Sequence, residues 1–216
     1  MTIIGAGGRA GRTIAGRLRE RGLPLREESG GLVLLCVPDR AIAEVARTID
    51  PGPWVAHVSG ATPLDALAPH VRRFSMHPLQ TLVTWRGPEQ FDGAYAAVTA
   101  ETDEGREVGF WLARTLGLRP FELPDAGRTL YHAGAVMASN YLVTLYRTAL
   151  GLLEEAGAPP QALVPLMSRT IENGFELTGP ISRGDWATVD AHLAALHERH
   201  PELEPMYRVL AEATQA

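Results

Sequence analysis

Apolar positions along this chain come in two rhythms. Up to about residue 123, short runs of consecutive apolar residues alternate with stretches whose apolar positions recur every three or four residues. The runs Thr2–Ile4, Leu32–Val37, Trp54–Val58, Phe74–Met76, Tyr95–Thr99 and Pro120–Leu123 predict strands. Several are apolar on successive residues, as in a parallel sheet covered on both faces. Between them, Arg9–Arg21, Arg40–Thr48 and Asp103–Leu116 predict helices. This alternation predicts a doubly wound α/β domain.

After Pro124 the rhythm changes. Asp125 is placed as an N-cap, and no proline follows until Pro159. The stretch predicts one helix of roughly 30 residues, on the order of 45 Å long. Apolar residues nearly surround it between Val136 and Leu153, which predicts burial in a bundle or against a second subunit. Shorter helices are expected near Gln161–Asn173, Trp186–Arg199 (capped by Asp185) and Glu202–Thr214, with the glycine-rich loop "GFELTGPISRGD" among them. The expected division is an α/β domain over 1–124 and a helical domain over 125–216.

Composition narrows the partners. The net charge is −5 and there is no basic cluster, so nucleic acid is not expected. No apolar run approaches the roughly 20 residues of a membrane span. The N-terminus lacks a signal-peptide pattern, and the single cysteine, Cys36, cannot form an internal disulfide. A cytoplasmic protein is expected, with Cys36 a buried strand residue in "LVLLCVP". The seven histidines are scattered, and none belongs to a metal-ligand spacing.

The stretch "GAGGRAG", Gly5 to Gly11, lies between the first strand and the first helix. Such a turn sets backbone N–H groups and a helix N-terminus against a pyrophosphate, as in the Rossmann fold. Gly5, Gly7 and Ala10 fit G-x-G-x-x-A, leaving Gly8 and Arg9 as the variable positions; Ala6, Gly8 and Gly11 fit a shifted register. Glu27 stands where an acidic residue would take the adenine ribose, with Arg26 beside it leaving NAD against NADP open. The next buried strand already starts near Leu32, so the region around 23–31 has no room for a second strand, a crossover helix and a third strand. The adenine half of a dinucleotide site is expected to be abridged.

Ligands of open α/β sheets sit beyond the carboxyl ends of the strands. Those ends bring Pro38 and Asp39, Ser59, and His77 with Gln80 toward one crevice. Ser59 reads as a contact to a nicotinamide or substrate oxygen, or as a turn serine. His77, held extended by Pro78, reads as a ligand contact or a structural hydrogen-bond partner. His57 reads as a satisfied strand histidine. On the long helix, His132 and Ser139 fall about 20° apart and Asn140 about 80° from His132 at 100° per residue. Arg183 is suited to a substrate carboxylate, and the RGD triplet it opens carries no adhesion meaning here.

The segments "VLLCVPD", "HVSGA", "SMHPLQT", "YHAGAVMASNYLVTL" and "TGPISRGDWATVDAHL" occur in that order. Together they resemble the Rossmann-like oxidoreductases with a C-terminal domain of unknown function 2520. These are relatives of pyrroline-5-carboxylate reductase, ketopantoate reductase and 6-phosphogluconate dehydrogenase. The resemblance implies a Rossmann-like domain, shortened here by about 30 residues after its first helix, and an all-α, 6-phosphogluconate-dehydrogenase-like dimerisation domain. It implies NADP or NAD as cofactor, held by Gly5, Gly7, Gly8, Arg9, Ala10, Pro38, Asp39 and Ser59. A small substrate is placed near His77, Gln80, Ser139 and Arg183. Asn140 stands where such relatives carry a catalytic asparagine. The lysine one turn before it is replaced by Val136, leaving His132 as the candidate general acid; the other reading is that His132 and Asn140 are buried polar residues satisfied by a neighbouring loop. The expected reaction is hydride transfer to or from a small keto or imino acid in the cleft between the two domains. Two alternatives stand beside it: a homologue that binds a metabolite or mononucleotide without catalysis, and a structural dimer.

Overall fold

The computed structural model describes residues 1–26 and 31–215. Glu27 lies outside them. The chain separates into two compact units, Met1–Thr144 and Leu145–Ala216.

The first unit is built on a six-stranded sheet with the strands in chain order. They are β1 (Thr2–Ile4), β2 (Leu32–Leu35), β3 (Trp54–His57), β4 (Arg73–Leu79), β5 (Tyr95–Ala100) and β6 (Arg119–Glu122). β1 through β4 are parallel and so are β5 and β6, but β4 and β5 are antiparallel. The connection between those two strands is a loop with only a short 3₁₀ turn, Pro88–Phe91, and such a loop returns a strand antiparallel without a crossover helix. β4 is also longer than the apolar run "FSM" suggests. Past Ser75 it has outrun β3 and pairs only with β5. A one-sided ladder tolerates Pro78 and leaves His77 beside the end of β3.

Helices cover both faces. α1 (Arg9–Glu20) and α3 (Asp103–Thr115) share one face, where Ile14, Leu18, Leu112 and Leu116 pack on Leu34, Ala56, Phe74, Met76 and Val98. α2 (Ile42–Arg47) lies on the other, with Ile42 and Ala46 against Val33, Leu35 and Val55. α1 spaces Ile14 and Leu18 four apart, which gives it one apolar stripe. Thr102 caps α3 by accepting from the Gly105 N–H at 3.1 Å, and Gly117, at φ +86°, ends it.

The doubly wound expectation holds for the layers but not for the strand order, which never reverses. β1 is one of the two edge strands, β6 the other. The Ile4 carbonyl accepts from Cys36 at 2.8 Å, so by the two-residue alternation the Met1 carbonyl faces the opposite edge. There it accepts from the Arg26 N–H at 2.9 Å, and the Met1 amino group reaches the Pro24 carbonyl at 3.3 Å. After α1 the chain therefore first runs to the outer side of β1, with Leu23 and Leu25 tucked against the core, before continuing to β2 on the inner side. These few residues are what stands where a full second strand would lie.

After β6 the helical run is not one uninterrupted α-helix. A 3₁₀ turn at Asp125–Gly127 leads into α4 (Arg128–Val136), a π turn at Met137–Tyr141, and α5 (Leu142–Glu155). Asp125 does not cap it. Its carboxylate accepts the Leu64 N–H at 3.1 Å instead. The second unit contains α6 (Leu163–Glu172), α7 (Trp186–Arg199) and α8 (Glu204–Gln215). Asp185 does cap α7, accepting from the N–H of Thr188 at 3.2 Å and from its hydroxyl at 2.8 Å. Among the described residues, no helix is long and apolar enough to cross a membrane.

Candidate active site

The glycine turn splits its duties differently from either register read in the sequence. Gly5 sits at φ +88°, and a Cβ there would stand 2.4 Å from the Cys36 carbonyl oxygen. Gly11 lies so close beneath the turn that its Cβ would meet the Gly5 oxygen at 2.3 Å. These two positions require glycine. Gly7 has open space around it, a Cβ on Gly8 would make only ordinary contacts at 3.5 and 3.7 Å, and Ala10 carries its methyl without difficulty, so the close-packing role falls to Gly11. Gly8 starts α1: its carbonyl takes the first helical bond, from Arg12 at 2.8 Å, while its own N–H returns to Gly5 at 3.1 Å. The N–H groups of Arg9, Ala10 and Gly11 are left as the orphan donors of a helix start.

Those donors open onto a cleft of about 1130 Å³ formed wholly by the first unit. Its floor follows the carboxyl ends of the strands: Gly8, Arg9 and Ala10 after β1, Cys36 to Pro38 after β2, Val58 after β3, and His77 to Leu79 on β4. Its far wall is the α4–π turn segment with Tyr131, His132, Val136, Ser139 and Asn140, and Gln80 to Val83 form the side. Single-ligand pockets run to roughly 300–1,000 Å³, so this volume has room for more than one small ligand.

The side wall is rigidly tied. Buried Gln90 accepts from the Val83 N–H at 2.8 Å and donates to the carbonyls of Val83, Arg86 and Gly87 at 3.2, 3.2 and 2.9 Å. Arg17 of α1 binds the same loop through the Pro88 carbonyl and the Asp92 carboxylate, both at 2.6 Å.

The far wall is fastened by Arg128, only 1% exposed. One guanidinium nitrogen donates to the hydroxyls of Ser75 and Thr99 at 2.5 and 2.9 Å, and the other donates to the Ser59 carbonyl. Asp125 stands 3.8 Å from its Nε. Burial lowers the arginine pKa, and Asp125, Tyr131 and Asp39 oppose that shift. Next along the helix, Tyr131 Oη and His77 Nδ1 are 2.8 Å apart. Burial, then the charges of His132 and Arg128, pull the His77 pKa down to about 4, and burial pushes the Tyr131 hydroxyl up to about 12. Both are neutral over the ordinary pH range. The ring of His132 lies edge-on to that of His77, with centroids 6.1 Å apart. Gly60 makes room for both, since a Cβ there would fall 2.6 Å from His132 and 3.0 Å from His77.

The π turn sets the last pair. Ser139 bonds back to the Ala135 carbonyl at 2.7 Å and donates to Asn140 Oδ1 at 3.2 Å. A π turn advances less per residue than an α-helix, so Asn140 swings back toward the face of His132, closer than the 80° of a regular helix.

Of the residues singled out in the sequence, Gly8, Arg9, Ala10, Pro38, His77, Gln80, His132, Ser139 and Asn140 line this one cleft. Gly5 and Gly7 shape the turn behind it. Ser59 and Asp39 do not line it: the Ser59 hydroxyl donates to Asp39 at 2.7 Å and accepts from the Thr62 N–H at 3.0 Å, which is the turn-serine arrangement. His57, fully buried, accepts the Ser59 N–H at 3.2 Å, and burial lowers its pKa to about 3. Cys36 is not a strand residue but the half-buried position just past β2, its thiol pushed up to about 12 by burial and so held protonated. Arg183, in the second unit, donates to the Thr178 carbonyl at 2.5 Å within its own loop. No cluster of three metal-ligating side chains occurs among the described residues. Sequence reasoning missed Arg128, Tyr131 and Gln90. A cation in the first turn of a helix, against the helix dipole, was the available signal for Arg128.

A mostly parallel sheet, a glycine turn leading into a helix, and a large cleft at the strand ends define an α/β protein of Rossmann-like fold. Residues 94–214 match the family described as Domain of unknown function (DUF2520), and the chain belongs to that family. Solved structures similar to it include a Bacteroides fragilis protein provisionally named an NADP oxidoreductase. That likeness is at 22% identity over 99% of this chain and 96% of the other, with a TM-score of 0.81. A reductive aminase from Aspergillus terreus, in complex with NADPH and ethyl levulinate, is 16% identical over 99% and 93%, with a TM-score of 0.67. A 1-pyrroline-5-carboxylate reductase from Streptococcus pyogenes is 14% identical over 99% and 95%, with a TM-score of 0.64. At these identities the likeness is one of fold. No curated protein matches the sequence.

Proposed function

We propose that the protein is an NAD(P)H-dependent reductase of a small carbonyl or imino compound. The observation that carries this reading is the single cleft joining the α1 N-terminus to the polar wall of His77, Tyr131, His132, Ser139 and Asn140. The residues present fit a dinucleotide's phosphates: glycine at the two positions where a Cβ would collide, open space at Gly7, free helix-start donors, and Arg9 beside them. When bound, a reduced nicotinamide supplies hydride to the carbonyl or imine carbon and is oxidised, while the oxygen or nitrogen takes a proton. His132 holds that proton and Asn140 aligns the acceptor atom by hydrogen bonding. Neutral His77, fixed by Tyr131, backs His132 and excludes water from its inner side.

Calorimetric titration with NADPH, NADH and AMP tests the reading. Micromolar binding of a reduced dinucleotide is expected. Absence of heat with both dinucleotides, in folded protein, overturns it. AMP bound alone would favour the mononucleotide-binding alternative, which the edge position of β1 makes the leading competitor.

A further inference from the structure

The polar wall of the cleft is rich in hydrogen-bonding groups and poor in charge. Among the described residues lining it, Arg9 is the only lysine, arginine, aspartate or glutamate, and it stands at the glycine-turn end. The chain contains no lysine at all. The cation nearest the wall in sequence, Arg128, is 1% exposed and spends its Nη donors on Ser59, Ser75 and Thr99, so it is not offered to a ligand. Its charge is answered by Asp125 at 3.8 Å. Around the polar groups the lining is apolar: Leu79, Leu82, Val83, Val136 and Ala138. Val136 occupies the middle of that wall, between His132 and Asn140.

A carboxylate brought here would lose water without gaining a cation or a bidentate partner, and an unpaired desolvated charge is expensive. A ketone, aldehyde, imine or ester needs only one or two hydrogen bonds, which His132 and Asn140 can give. We infer that the wall made by His77, Tyr131, His132, Val136, Ser139 and Asn140 selects an uncharged carbonyl or imino substrate and discriminates against the corresponding keto or imino acid. This rests on reading the cleft as the substrate site of a reductase, and it departs from the acid substrate that Arg183 suggested in the sequence.

The test uses the full chain and two matched pairs of probes: ethyl pyruvate with pyruvate, and ethyl 4-oxopentanoate with 4-oxopentanoate. Binding is read calorimetrically at pH 7.5 with and without NADP, and turnover by NADPH oxidation. Each ester should bind at least ten-fold more tightly than its acid, with kcat/KM differing in the same sense. Equal or tighter binding of the acids, or no binding of either ester, overturns the inference. Failure of NADP to bind while the esters still outbind the acids overturns the reductase reading and leaves only the preference of the wall for uncharged carbonyls. A second variant, Val136→Lys, places a cation in the middle of the wall and should raise acid affinity at least ten-fold. A folded Val136→Lys protein with no gain for the acids would show that this wall does not set the preference.

Discussion

His57 and His77 carry a cost in acid. Both are held neutral, with folded pKa values near 3 and 4 against an ordinary 6.5. Below pH 6.5 the unfolded chain takes up protons that the folded chain refuses until the pH falls to those lower values. Stability should therefore fall with pH from 6.5 toward 4, by on the order of a few kcal/mol. Urea midpoints at pH 7.5 and 4.5 check this, and an unchanged midpoint would contradict it. At this scale the sequence was partly legible. The place of His77, His132 and Asn140 on one cleft was legible because polar residues at strand ends and on an apolar helix stand out from their surroundings. Arg128 and Tyr131 were not, because burial and partners 50 or more residues away decide their roles. Ser59 was legible only as two readings, and its bonds to Asp39 and Thr62 select the turn.

The π turn at Met137–Tyr141 is the element on which the far wall depends. Such turns are one-residue insertions into an α-helix and concentrate at functional sites. Asn140→Ala should lower reductase turnover at least ten-fold in a protein that stays folded by circular dichroism, and full activity in that variant would count against the assigned role. No apolar periodicity could have announced the turn, since a π turn and an α turn draw on the same residue types. The strand positions were easier, because consecutive apolar residues flanked by proline and glycine are a local signal. The antiparallel β4–β5 pair was not, since direction is set by the loop between them and by Gln90 holding it.

For the whole molecule, the apolar girdle read in the sequence remains uncovered in the single chain. Met137, Tyr141, Leu142, Val143 and Leu145 are exposed, as are Val164, Leu166 and Ile171 on α6. Large apolar side chains left exposed along a helix mark an interaction site. A homodimer through the helical segments is the expected partner, and sedimentation equilibrium should return twice the chain mass of 23.3 kDa. Val143→Glu should shift the mass toward that of one chain, and a wild-type monomer at micromolar concentration would remove the proposal.

Arg128 carries a consequence for dissection. The change of rhythm at Pro124 invites a cut there, as if the sheet ended where its last strand does. Yet the residue that bolts Ser59, Ser75 and Thr99 together lies four positions beyond that point. A fragment ending at Pro124 would keep all six strands and lose their keystone, leaving two hydroxyls and a carbonyl facing an empty slot. On the ribosome, too, the sheet cannot be finished until the helix that follows it has begun to emerge.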